Sequence, residues 1–169
     1  LSVTDDFKDG TYTLRFTQST PPNSDQADKA PQVIPIAVGL LSQTGTEIQQ
    51  TVILEMTEDQ QSFAFDGLSE KPVPSILRDF SAPVILQRDQ TNAERAFLMA
   101  HDTDPFNKWD AGRALARDVL IKMVTQDAAP DAAYLDGISA IMRDDALDPA
   151  FRALSLSLPS EDDMAQALH

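Results

Sequence analysis

The sequence predicts an antiparallel β-sandwich followed by an all-α helical array that begins an α–α superhelix. Up to about residue 88, apolar and polar residues alternate with period two between frequent turn residues. From about residue 91 the apolar spacing becomes three and four, as on one face of a helix. Cap residues punctuate the second half, often as Asp-Pro pairs, which mark helix starts. The expected division is a sandwich domain over 1–90 and the first part of a helical domain over 91–169.

Tyr12, Leu14 and Phe16 alternate with Thr11, Thr13 and Arg15, which suits a half-buried strand. Further strands are expected over 33–38, 51–56 and 62–65, with a last one over 84–87. The links are Asp9-Gly10, the polar stretch 19–29, Gln43-Thr44-Gly45 and Pro72-Val73-Pro74, all of turn composition. Short strands with frequent turns favour a sandwich.

Thr91 and Glu94 have the T-x-x-E spacing of a capping box, after which Phe97, Leu98 and His101 share one face. Asp104-Pro105 opens a long helix whose buried face is expected to carry Trp109, Gly112, Leu115, Val119, Leu120 and Met123. Pro130-Asp131 opens another, with Tyr134, Leu135, Ile138, Ile141 and Met142 as its stripe. Asp148-Pro149 precedes Phe151 and Leu154, and Pro159 ends that helix. Ser160 with Asp163 caps a last helix carrying Met164 and Leu168. Met99, Met123, Met142 and Met164 suit helix packing. Successive short helices of this kind each need a neighbour to cover them.

Composition excludes several functions. The chain has 169 residues, 27 acidic and 13 basic side chains and no cysteine, giving a net charge of −14. A nucleic-acid binder needs a basic stripe to displace counterions, and an anionic membrane surface also selects for basic residues. Neither partner is expected. Residues 1–84 hold 12 acids and 5 bases, and 85–169 hold 15 and 8, so both parts carry −7 and the charge is not confined to a tail. It reads as a solvated acidic surface. Without cysteine there is no disulfide, thiol nucleophile or Cys-based metal site. The longest apolar run, 34–41, is broken by Pro35 and Gly39 and falls far short of the roughly 18 residues of a membrane span. Asp5, Asp6 and Asp9 stand where a signal peptide would be basic and then apolar. A start at Leu1 and a stop at His169, on a barely begun apolar stripe, lead us to expect a longer natural chain.

Motifs for chemistry are missing as well. The only histidines, His101 and His169, cannot form the H-E-x-x-H pair that brings two rings to one zinc ion. His101 stands at an expected helix C-terminus, where a histidine caps carbonyls and meets the negative end of the dipole. No G-x-S-x-G elbow accompanies it. An EF-hand loop begun at Asp102 would place Asn107 at the turn glycine and Arg113 at the bidentate Glu; one begun at Asp144 would place Pro149 and Ser155 there. Both fail. Glycines at 10, 39, 45, 67, 112 and 137 form neither a G-x-G-x-x-G nor a P-loop. Trp109, the single tryptophan, fits helix or inter-lobe packing. No catalytic, cofactor-binding or metal-ligating residue is assigned to this chain.

Several runs carry a family resemblance. Phe65-Asp66-Gly67-Leu68 leads through Lys71-Pro72-Val73-Pro74-Ser75 into Arg78-Asp79-Phe80-Ser81-Ala82-Pro83-Val84. Phe97-Leu98-Met99-Ala100-His101, Asp104-Pro105-Phe106-Asn107-Lys108-Trp109-Asp110-Ala111 and Leu156-Ser157-Leu158-Pro159-Ser160 follow, then Asp163-Met164-Ala165. With the strand 12–18 and the loop 26–31, these resemble the proteobacterial branch of the aminopeptidase N family of zinc metallo-aminopeptidases. The resemblance implies that a thermolysin-like catalytic domain precedes an immunoglobulin-like sandwich and that a helical superhelix follows it. The zinc ligands, catalytic Glu and G-A-M-E-N motif of that family have no counterpart here. The resemblance therefore implies a non-catalytic segment whose partners are the catalytic domain and the remaining helical domain of the same chain, in a cytoplasmic parent. Zinc belongs to that parent. Phe80, Pro83, Phe106 and Trp109 are expected to pack where sandwich meets helices. The alternative is a stand-alone acidic β-sandwich interaction module, which needs an exposed hydrophobic patch.

Overall fold

The computed structural model describes residues 1–22, 24 and 29–168. Half of the motif 26–31, part of the expected link 19–29, and His169 lie outside the described residues. The chain divides into two compact units, Leu1–Asp89 and Gln90–His169.

Among its described residues the first unit holds six strands: β1 (Ser2–Lys8), β2 (Thr11–Thr17), β3 (Ile34–Leu41), β4 (Glu47–Met56), β5 (Gln60–Phe65) and β6 (Val73–Ile76). They form two antiparallel sheets ordered β1-β2-β5 and β4-β3-β6. Inward positions alternate along the strands. Tyr12, Leu14 and Phe16 from one sheet meet Ile36, Val38, Leu40 and Met56 from the other in a single core. Gln18 ties the end of β2 to two other segments: its amide donates to the carbonyls of Gln32 and Glu58 at 2.9 and 3.0 Å and accepts from the Gln32 N–H at 2.8 Å.

The sandwich is as expected, but its strand list differs in three places. β1 was hidden because the face carrying Val3 and Phe7 also carries Asp5, whose carboxylate meets Lys71 at 2.6 Å and Arg88 at 3.6 Å. β6 sits in the stretch assigned to a Pro-Val-Pro turn. It is an edge strand, where a proline costs no ladder bond, and Pro74 pairs with Leu40. Conversely, 84–87 is not a ladder strand. It makes one parallel bridge, Ser2 to Gln87, held by Val3 N–H to Gln87 O at 3.0 Å and Gln87 N–H to Leu1 O at 2.7 Å.

The second unit holds α1 (Asn92–His101), α2 (Pro105–Gln126), α3 (Ala132–Arg143), α4 (Pro149–Ser155) and α5 (Glu161–Leu168). The Thr91, Asp104, Asp131 and Asp148 side chains accept from first-turn N–H groups of α1 to α4. Asp163 accepts from the Ser160 N–H at 3.0 Å while its own N–H donates to Ser160 Oγ at 3.2 Å, a reciprocal cap for α5. The core gathers Ala96, Met99, Leu115, Val119 and Ile141. Two expected stripe members are displaced. Leu135 and Met142 are 50% and 60% exposed, because Gly137 rather than a large residue faces the core of α3. Leu154 is exposed as well. Among the described residues no helix is long and apolar enough to cross a membrane.

Candidate functional site

Among the described residues, three further places gather polar side chains, each inside one unit. The first is the α1–α2 corner. Asp102 follows α1, and its Oδ1 accepts from the Asp104 N–H at 2.9 Å. Asp104 Oδ1 accepts from the Asn107 N–H at 2.8 Å, starting α2. One turn in, Lys108 turns back and its Nζ donates to Ala100 O at 2.7 Å. Lys108 and Asp102 are only 6% and 3% exposed. Burial pushes the Lys108 ammonium down, and the charges of Asp144 and Asp102 pull it back. A cavity of about 390 Å³ opens beside them, lined also by His101, Leu147 and Phe151. His101 is the last residue of α1 as expected, but Lys108 supplies the carbonyl cap. The His101 ring packs on Phe97, one turn earlier, with centroids 4.8 Å apart. The ammonium and carboxylates are thus committed to helix ends, and the corner is built to hold two helices at a turn.

The second place is Arg78, which is 3% exposed. Its Nε donates to Ser75 Oγ at 2.8 Å, and Nη1 donates to Glu47 Oε1 at 2.5 Å and Thr51 Oγ1 at 3.0 Å. The flanking backbone is left-handed at three non-glycine residues: Leu77 (φ 60°), Asp79 (φ 54°) and Phe80 (φ 51°). Such residues each cost about 1–3 kcal/mol and persist only where their surroundings over-determine them. The buried guanidinium is that constraint. Phe80 is 56% exposed.

The third place is a cavity of about 400 Å³ beside α2 and α5. Trp109, Arg113 and Arg117 come from α2, while Gln166 comes from α5. Phe106 and Trp109 lie with ring centroids 6.1 Å apart, and Arg113 sits over the indole at 5.6 Å while pairing with Asp163. Sequence spacing had placed Trp109 on the packed stripe. It missed Arg113 and Arg117, because two arginines four apart on a helix look like any solvated face.

Among the described residues no three His, Asp or Glu side chains come together as a metal site. The residues present therefore do not fit a zinc ion, and no chemical step is derived through one.

Comparisons with known proteins follow the two units. The model of a domain of unknown function with an Ig-like fold (DUF3458) matches residues 1–89. Its companion, described as ARM repeats (DUF3458_C), matches residues 92–169. Aminopeptidase N of Escherichia coli is 34% identical over 180 residues, covering 98% of this chain and 21% of that protein. The chain belongs to the aminopeptidase N family. Aminopeptidase N of Caulobacter vibrioides is 43% identical over 131 residues, covering 76% of this chain and 15% of that protein. The crystal structure of Legionella pneumophila aminopeptidase A in complex with aspartic acid matches with a TM-score of 0.82 and 26% identity, over 98% of this chain and 19% of that one. This chain thus spans only 15 to 21% of the length of its curated aminopeptidase N relatives.

Proposed function

We propose that the chain is a non-catalytic segment of a zinc-dependent aminopeptidase that removes N-terminal residues from peptides. In this reading the sandwich and first helices link a catalytic domain to the rest of a helical domain in one polypeptide, in the cytoplasm. The observation that carries it is coverage: the match to Escherichia coli aminopeptidase N runs over 98% of this chain yet over only 21% of that protein. The side chains fit the same division. Lys108, Asp102 and Arg78 are spent on helix ends and a sheet edge, and no donor set for zinc gathers among the described residues. In this reading zinc and the catalytic carboxylate belong to the parent's other part. Reading the coding sequence on both sides of residues 1–169 tests this. An H-E-x-x-H motif upstream is expected; an upstream stop codon or an unrelated domain would leave the stand-alone module instead.

A further inference from the structure

The cavity beside α2 and α5 is built differently from the other two polar places. At the α1–α2 corner and around Arg78, the buried cations are committed to named acceptors. Here donors remain available. Among the described residues, the Trp109 indole N–H, the Arg117 guanidinium and the Gln166 amide have no hydrogen-bond partner. Arg117 meets Asp110 only through charge. Asp163, one of two acids on the lining, is already paired with Arg113 and with Ser160. Arg113 and Asp163 therefore offset each other, which leaves the Arg117 guanidinium and the Asp110 carboxyl as one further cation and one further acid on the lining. Trp109 and Pro159 supply an apolar surface on the same lining. Burial raises the Asp110 carboxyl, and the charges of Arg117 and Arg95 pull it back.

A guanidinium that can donate to a carboxylate, an apolar plate and an acid outside the Arg113–Asp163 pair share a cavity of about 400 Å³. Small-molecule sites occupy roughly 300–1,000 Å³ and set a few polar groups among apolar ones. We propose that this cavity binds a free amino acid with an apolar or aromatic side chain. Its carboxylate would meet Arg117 and Gln166, its ammonium Asp110, and its side chain Trp109 and Pro159. Guanidinium is the side chain best matched to a carboxylate, because it presents a planar fork of donors. The inference stands on the cavity's own chemistry, whatever activity the longer protein has.

Trp109 is the only tryptophan, so its emission reports this cavity alone. The chain is titrated with L-phenylalanine, exciting at wavelengths that only indole absorbs, with calorimetry in parallel. A saturable signal with a Kd of about 1 mM or tighter is expected. Phenethylamine, which lacks the carboxylate, should give none. Arg117→Gln should weaken binding about tenfold, the loss of one charge-assisted contact. Because Arg117 is exposed, its circular dichroism and Tm should match the parent chain. Gln166→Ala should weaken binding by a smaller factor with the same fold. Silence in both fluorescence and calorimetry would overturn the proposal. So would equal binding of phenethylamine, or an unchanged Kd in Arg117→Gln.

Discussion

Gly39 is the floor on which the Arg78 guanidinium lies: a Cβ on Gly39 would stand 2.1 Å from Arg78 Cζ and 2.2 Å from Nη1. No side chain other than hydrogen fits beneath that group while Glu47, Thr51 and Ser75 hold it in place. The glycine has no left-handed φ, so its conformation is open to alanine and only the contact forbids it.

That relationship predicts coupling. Gly39→Ala should destabilise the chain by about 2 kcal/mol, because the guanidinium must leave its partners. Arg78→Ala should cost about 3 kcal/mol, by removing the buried donors that Glu47 and Ser75 accept from and releasing the left-handed turn. The double variant should cost little more than Arg78→Ala alone. A double-mutant cycle from urea unfolding measures this, and additive losses would mean that the two residues do not share one constraint.

Met99 makes the corresponding relationship among the helices. Fully buried on α1, its sulfur would lie 2.9 Å from a Cβ on Gly137 and 3.3 Å from one on Gly112. Met99→Ala should lose about 3 kcal/mol as a large-to-small core change. Gly137→Ala should lose about 1 kcal/mol, the overpacking exceeding the helix-propensity gain. Gly112→Ala has the looser contact and should be close to neutral. Thermal unfolding of the three variants checks the order.

At the α1–α2 corner, Lys108→Met keeps the length of the side chain and removes its ammonium. Ala100 O then loses its donor and buried Asp102 loses its counter-charge. A loss of about 2 kcal/mol is expected. Amide hydrogen exchange should quicken at the last turn of α1 and first turn of α2 and stay unchanged in β1 to β6. Uniform quickening would show that Lys108 does not act locally.

Acid stability should track Asp5. Burial pushes its carboxyl up, but the Lys71 hydrogen bond and charge, Arg88 and the Tyr12 hydroxyl together hold it below the ordinary value of 3.8. A depressed folded pKa gives stability that is full above the unfolded value of about 3.9 and lost as pH falls through the folded one. Asp5→Asn should therefore lower Tm at pH 7 by an amount worth about 1 kcal/mol, since Lys71 is largely exposed. The gap should close below pH 3.8. A gap that stays constant across that range would separate Asp5 from the pH dependence.

The sequence's two periods and its cap residues were enough to read a sandwich followed by helices and the capped starts of α1, α2 and α4. What escaped it was the work of single polar residues. Asp5 broke the apolar alternation that would have revealed β1, and Pro74 disguised an edge strand as a turn. Lys108 entered only within a resemblance, and tertiary packing buries it against the end of α1. Gly137 carried no hydrophobic signal, so Leu135 and Met142 were given its place on the buried face. Arg78 entered only within a resemblance, since nothing local shows that its partners lie on β4. Arg117, Gln166 and Trp109 come together through the fold alone.

The most direct measurement is an assay of the purified chain with aminoacyl-anilide substrates, with and without added zinc, alongside metal content. A non-catalytic segment predicts no turnover above buffer and no stoichiometric zinc. Turnover that scales with the chain, depends on zinc and stops with a chelator would contradict the segment reading outright.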